Sequence, residues 1–116
     1  MTPRPRRLRN TPGDDQVLKD FLKGIAPVRP KILKPILFGS RARGTQRPDS
    51  DYDLLLVVDR KEDALLDTLY ESVMDVLLAH GRLVSLKVYV NNEFERLQAL
   101  RTPFMTHIVE EGLPIG

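Results

Sequence analysis

The chain has 116 residues, 41% of them apolar and 29% charged, the balance of an ordinary globular protein with room for one core and too short for two catalytic-sized domains. The absence of cysteine excludes disulfides, thiolate metal sites and cysteine nucleophiles, and no apolar run approaches the roughly 20 residues that span a bilayer. The net charge of +2 is uneven: Arg4, Arg6, Arg7 and Arg9 are four of the 18 basic residues, which leaves 14 against 16 acids in the remainder.

Residues 1–13, with these arginines and Pro3, Pro5 and Pro12, hold too little apolar content to order themselves and read as an arm, ahead of one domain over 14–116. The arm lacks the apolar stretch of a signal peptide, so the cytoplasm is the default location. From Asp14, the apolar residues Val17, Leu18, Phe21, Leu22 and Ile25 recur at helical spacing, with Asp14 or Asp15 to cap and Pro27 to close. A strand is expected at Ile36-Leu37-Phe38, begun by Pro35 and ended by Gly39-Ser40, and a second from Asp51 to Val58. The long helix, from about Glu62 to Ala79, places Leu65, Leu66, Leu69, Tyr70, Val73 and Leu77 on one face, with Gly81 to cap it. Leu83 to Val90 is β-rich, Asn92 and Glu95 have capping-box spacing for a helix to about Arg101, and Thr102-Pro103 starts a last helix that Gly112 stops. The order of helix, strand, strand, helix, strand, helix, helix implies an α+β fold of α/β character, a small mixed sheet with helices packed on it.

The chemistry concentrates between residues 38 and 54. Side chains alternate along a strand, so Asp51 and Asp53 start on one face with their Cα atoms about 6.6 Å apart, near enough to converge on one cation or a pair. Two carboxylates drawn to about 4 Å repel by roughly 4 kcal/mol at an effective dielectric of 20, a cost that a bound cation or proton relieves. Oxygen ligands with no His or Cys nearby favour Mg²⁺ or Mn²⁺ over zinc. Just upstream, Gly39 ends a strand where backbone can approach a phosphate, Ser40 and its neighbouring amides are placed to bind phosphate oxygens, and Arg41 and Arg43 add forked cationic donors. Taken singly, a Gly-Ser after a strand is an ordinary turn and an Asp-x-Asp is a pair of exposed acids. Their combination is far more specific.

The run Gly39-Ser40-Arg41-Ala42-Arg43-Gly44, followed by Ser50-Asp51-Tyr52-Asp53-Leu54 and an apolar strand, resembles the polymerase-β-type nucleotidyltransferase superfamily. The small size resembles its minimal nucleotidyltransferase branch, often the antitoxin paired with a helical HEPN protein, and the likeness covers about residues 32–115. It implies a nucleoside triphosphate such as ATP with its phosphates near Ser40, a metal pair on Asp51 and Asp53, and attack of an acceptor hydroxyl on the α-phosphorus. Active members usually carry a third carboxylate on a later strand, and here the matching position is Ser85, with Lys87 on the same face. A hydroxyl is a poor metal ligand, so turnover is expected to be slow or lost while nucleotide still binds. Asp49, beside Pro48, belongs to the turn.

Other residues have plainer readings. His80 belongs to a helix end beside Gly81, His107 to a helix surface, and Tyr52 and Tyr89 to the core. Phe104, Ile108 and Val109 could face a partner helix, though local packing explains them. Three functions compete: transfer of AMP to a hydroxyl of a HEPN-like partner protein, neutralisation of that partner by occlusion without turnover, and nucleic-acid contact through the arginine arm. The third is the weakest, since a solvated tail explains the arm and the pI is no evidence for nucleic-acid binding. Nothing points to a membrane, and a homo-oligomer is left open.

Overall fold

The computed structural model describes residues 15–116. The arm expected over residues 1–13 lies outside them. The chain runs α1 (Gln16–Gly24), a 3₁₀ turn (Ala26–Lys31), β1 (Ile32–Phe38), α2 (Ser40–Arg43), β2 (Tyr52–Val58), α3 (Asp63–His80), β3 (Val84–Val90), α4 (Asn91–Leu100), α5 (Pro103–Glu111) and β4 (Leu113–Pro114). The four strands form one mixed sheet in the order β3-β2-β1-β4, with β2 parallel to β3 and β1 antiparallel to both β2 and β4. The α+β architecture expected from the sequence is the one observed.

Central β2 is buried from Leu54 to Val58 because helices cover both faces. Tyr52, Leu54, Leu56 and Val58 join Phe21 of α1 and Leu65 and Leu69 of α3 in one core, while Leu55 and Val57 meet Phe94 of α4 and Met105 and Ile108 of α5 in the other. This alternation is the one that the strand period predicts. Asp15 caps α1, its Oδ1 accepting the Val17 and Leu18 amides at 2.8 and 3.2 Å, and Gly81 closes α3 in the left-handed conformation.

Several boundaries depart from the sequence reading, each for a local reason. β1 begins at Ile32 and runs through Pro35. A strand residue points its N–H and C=O to the same edge, and the Pro35 carbonyl accepts the Ile115 amide at 3.0 Å, so the missing N–H faces the β4 side and the β2 ladder loses no bond. α4 starts at Asn91 rather than after Asn92, because Glu93 and not Glu95 reaches back, its Oε1 accepting the Val90 amide at 3.3 Å. Tyr70, assigned to the buried face of α3, is 48% exposed. Among the described residues no helix is long and apolar enough to cross a membrane.

Candidate functional site

One end of the sheet collects the candidate residues. β1 ends there, while β2 and β3 begin there, so Phe38 pairs with Asp53 and Asp53 pairs with Ser85 across three neighbouring strands. Gly39 then turns the chain with φ 77° and ψ −158°, a backbone region that is essentially glycine-only. A Cβ built on Gly39 would collide with Asp53 Oδ2. The glycine therefore lets the start of α2 lie directly against the Asp53 carboxylate, and the two sequence motifs become one site.

α2 is a single turn closed by Gly44 in the left-handed conformation, and the Gly39 carbonyl accepts the Ala42 and Arg43 amides, each at 3.1 Å. The amides of Ser40 and Arg41 occupy the leading end of that turn, where helix N–H groups have no intrahelical acceptor and suit anionic oxygens. The two arginines diverge. Arg43 donates to Glu111 of α5 at 3.4 Å, and its charge also reaches Asp53. Arg41, expected to face phosphate, is engaged elsewhere: Nε and Nη2 donate to the Ser50 carbonyl at 3.2 and 2.8 Å, and its guanidinium carbon lies 3.8 Å from the Tyr52 ring centroid.

Asp53 is half-buried on the sheet face that α4 and α5 cover, whereas Asp51 is exposed and precedes β2 instead of beginning it. Burial first, then the nearby Asp51 charge, raise the Asp53 pKa above its ordinary value, while Lys87 and Arg43 pull it down. Mg²⁺ is commonly held by one or two carboxylates completed by substrate phosphates and water, so the Asp51 and Asp53 oxygens fit such an ion as a partial ligand set. Among the described residues no cluster of three or more His, Cys, Asp or Glu side chains is placed to hold a metal. Ser85 occupies the strand position beside Asp53 on which a third carboxylate would extend the set, Lys87 lies two residues along on that face, and Asp49 is exposed in the turn before it.

Sequence reasoning missed two supports of this end of the fold. Glu111 meets Arg43 across 68 positions, a contact that no local spacing announces. Tyr52, expected in the core and buried there, also donates from its hydroxyl to Asp15 Oδ2 at 2.7 Å, and burial followed by that bond pushes its pKa up to about 12. Among the described residues neither histidine touches a candidate site residue directly: His80, the last residue of α3, has Nε2 2.7 Å from Asp20 Oδ2 of α1, and exposed His107 lies 3.6 Å from Glu111, the carboxylate that also meets Arg43. Phe104 packs its ring edge-on against Phe38 at 5.5 Å and Ile108 is buried, which leaves Val109 as the exposed member of that trio.

Comparison with known proteins agrees with this fold. A family model described as polymerase beta, nucleotidyltransferase, matches residues 20–115. A candidate protein adenylyltransferase of Methanocaldococcus jannaschii is 30% identical over 100 residues, covering 85% of this chain and 94% of that protein. Two solved structures share the fold at low identity. A candidate nucleotidyltransferase from Sulfolobus solfataricus aligns with a TM-score of 0.54 at 18% identity, over 98% of this chain and 89% of its own. A toxin–antitoxin crystallised with AMP-PNP aligns with a TM-score of 0.52 at 19% identity, over 83% and 69%.

Proposed function

The chain belongs to the polymerase beta nucleotidyltransferase family, and from that premise we propose that it transfers AMP from ATP to a hydroxyl of a partner protein, with a divalent cation on Asp51 and Asp53. The observation that carries this reading is the packing of Gly39 on Asp53, which sets a phosphate-binding turn and a cation-binding carboxylate against each other. The protein-adenylyltransferase name of the M. jannaschii relative supports the choice of AMP, and the AMP-PNP in the toxin–antitoxin crystal supports ATP and a protein acceptor, for which a HEPN-like helical protein is the candidate.

In this reading the acceptor oxygen bonds to the α-phosphorus, the bond from that phosphorus to the bridging oxygen breaks, and pyrophosphate leaves while the hydroxyl proton passes to solvent. When bound, the cation, Mg²⁺ or Mn²⁺, neutralises charge on the phosphate oxygens. Ser40, through its hydroxyl and the leading amides of α2, receives the terminal phosphates, and Arg43 adds a permanent charge beside Asp53. Asp51 and Asp53 fix where the reacting phosphate sits relative to that turn. In-line displacement needs little more from a protein than such positioning and charge, so no side-chain nucleophile is required. The acceptor comes from outside, because the helices on both sheet faces are used to cover the core.

Incubating the protein with labelled ATP, Mg²⁺ and its partner should put label on the partner, and Asp51→Asn should abolish it. A specific observation favours a second reading: the strand neighbour of Asp53 is Ser85, followed by a cationic Lys87. If the partner forms a stable complex and gains no mass with ATP and Mg²⁺, the protein acts by occlusion and keeps its nucleotide site without turnover.

A further inference from the structure

The loop that delivers Asp51 is held from an unexpected direction. Within Arg47-Pro48-Asp49-Ser50, the Ser50 amide donates to the Arg47 carbonyl at 3.0 Å and the Arg47 amide donates to Ser50 Oγ at 2.8 Å, closing the turn reciprocally. The remaining polar group of Ser50, its carbonyl, accepts two donors of Arg41, at 2.8 and 3.2 Å, while a further Arg41 bond reaches the Pro48 carbonyl at 3.5 Å. On the other side of Asp51, the Tyr52 amide donates to the Leu83 carbonyl at 2.9 Å and enters the sheet. Asp51 is thus an exposed carboxylate with no partner among the described residues, on a backbone pinned at both neighbours.

Arg41 is itself immobilised. Its guanidinium lies over the Tyr52 ring at 3.8 Å, and that ring is buried and anchored through its hydroxyl to Asp15. A planar guanidinium can stack on a ring and donate sideways at once, which a lysine ammonium cannot do. These contacts use Nε and Nη2, and Nη1 has no hydrogen-bond partner among the described residues.

We propose that Arg41 is a positioning residue that holds Asp51 in place for the cation by clamping the Ser50 carbonyl from the face of Tyr52. This rests on the reading of Asp51 and Asp53 as cation ligands. Partners that orient a metal ligand without touching the metal are worth about 10- to 100-fold in metal affinity when removed.

The test separates cation affinity from phosphate affinity in the full chain. Mn²⁺ is titrated into protein holding a non-hydrolysable ATP analogue, with free Mn²⁺ read by electron paramagnetic resonance, and the analogue is titrated alone in EDTA by calorimetry. Arg41→Ala is expected to weaken Mn²⁺ by about 10- to 100-fold while metal-free analogue binding stays at the wild-type value. Arg41→Lys should fall between, and it carries the test if Arg41→Ala does not fold by circular dichroism. Tyr52→Phe, which keeps the ring, should leave Mn²⁺ affinity near wild type. Wild-type Mn²⁺ affinity in the arginine variants, or loss of metal-free analogue binding, overturns the assignment. Asp51→Asn is run beside them: if it binds Mn²⁺ as wild type does, the cation-site reading itself fails and the positioning role falls with it.

Discussion

Asp53 is the residue at which folding and the proposed function pull in opposite directions. Burial and the neighbouring Asp51 charge raise its pKa above the ordinary 3.8, so the folded protein holds this proton more tightly than the unfolded chain does. The sign follows from linkage: stability from this group is greatest below 3.8 and is lost as pH rises through the higher folded value, so at pH 7 the ionised carboxylate weighs against the nucleotide-free fold. Asp53→Asn should therefore melt above wild type at pH 7 without metal, and the gap should close as the pH is lowered towards and below the ordinary carboxylate value. Thermal melts by circular dichroism across that range decide it. A variant that melts below wild type at pH 7 would mean that Lys87 and Arg43 outweigh burial, and Asp53 would then be an ordinary ion-paired acid.

At the scale of elements, α1 and α3 fit closely at Gly24. A Cβ built on Gly24, at the end of α1, would collide with Ser72 Oγ, and that buried hydroxyl donates to the Phe21 carbonyl at 3.1 Å. Alanine is the better helix former by about 1 kcal/mol in a helix interior, and less at a terminus, whereas overpacking costs about 1–3 kcal/mol. The clash should win, so Gly24→Ala is expected to destabilise, and adding Ser72→Ala should recover part of the loss because the two atoms that collide are then one. A double-mutant cycle by urea unfolding measures that coupling, and additive effects would place the cost elsewhere. Elements of this size were legible in the sequence because their apolar pattern announces them: Leu65, Leu69 and Val73 mark the buried face of α3, and the apolar run from Leu54 to Val58 marks β2. β4 was not, since two residues have no period, and β1 was shortened because a proline that only loses an edge hydrogen bond looks the same in sequence as one that breaks a ladder. The candidate site was readable as far as adjacency reaches. Gly39 and Ser40 come next to a strand end and Asp51 and Asp53 flank the first residue of β2, but the direction in which Arg41 turns depends on Tyr52 and Ser50 being brought together by folding.

For the whole molecule, the consequence is that ligand binding at one rim should report on the stability of everything behind it. The site is made from the ends of β1, β2 and β3, and β2 is shared by both cores, so a nucleotide held there stabilises the same strand on which α1, α3, α4 and α5 pack. A ligand at 100 times its Kd that binds only the folded state adds about 2.7 kcal/mol, which for a domain near this size raises Tm on the order of 10 °C. With ATP and Mg²⁺ together the protein should show that rise, with ATP in EDTA a smaller one, and with Mg²⁺ alone little change, because the two carboxylates leave most of the coordination to phosphate and water. Asp51→Asn should lose the Mg²⁺-dependent part and keep the part that Ser40 and Arg43 supply. The same melts separate the proposed activities without a partner in hand: a protein that gains stability from Mg²⁺ and ATP but transfers no label when the partner is added has a working nucleotide site and an incomplete reaction centre, which is what Ser85 beside Asp53 would produce. If neither ATP alone nor ATP with Mg²⁺ moves Tm at concentrations up to several millimolar, the Gly39 turn is a structural corner of the sheet and the nucleotide site proposed for it is wrong.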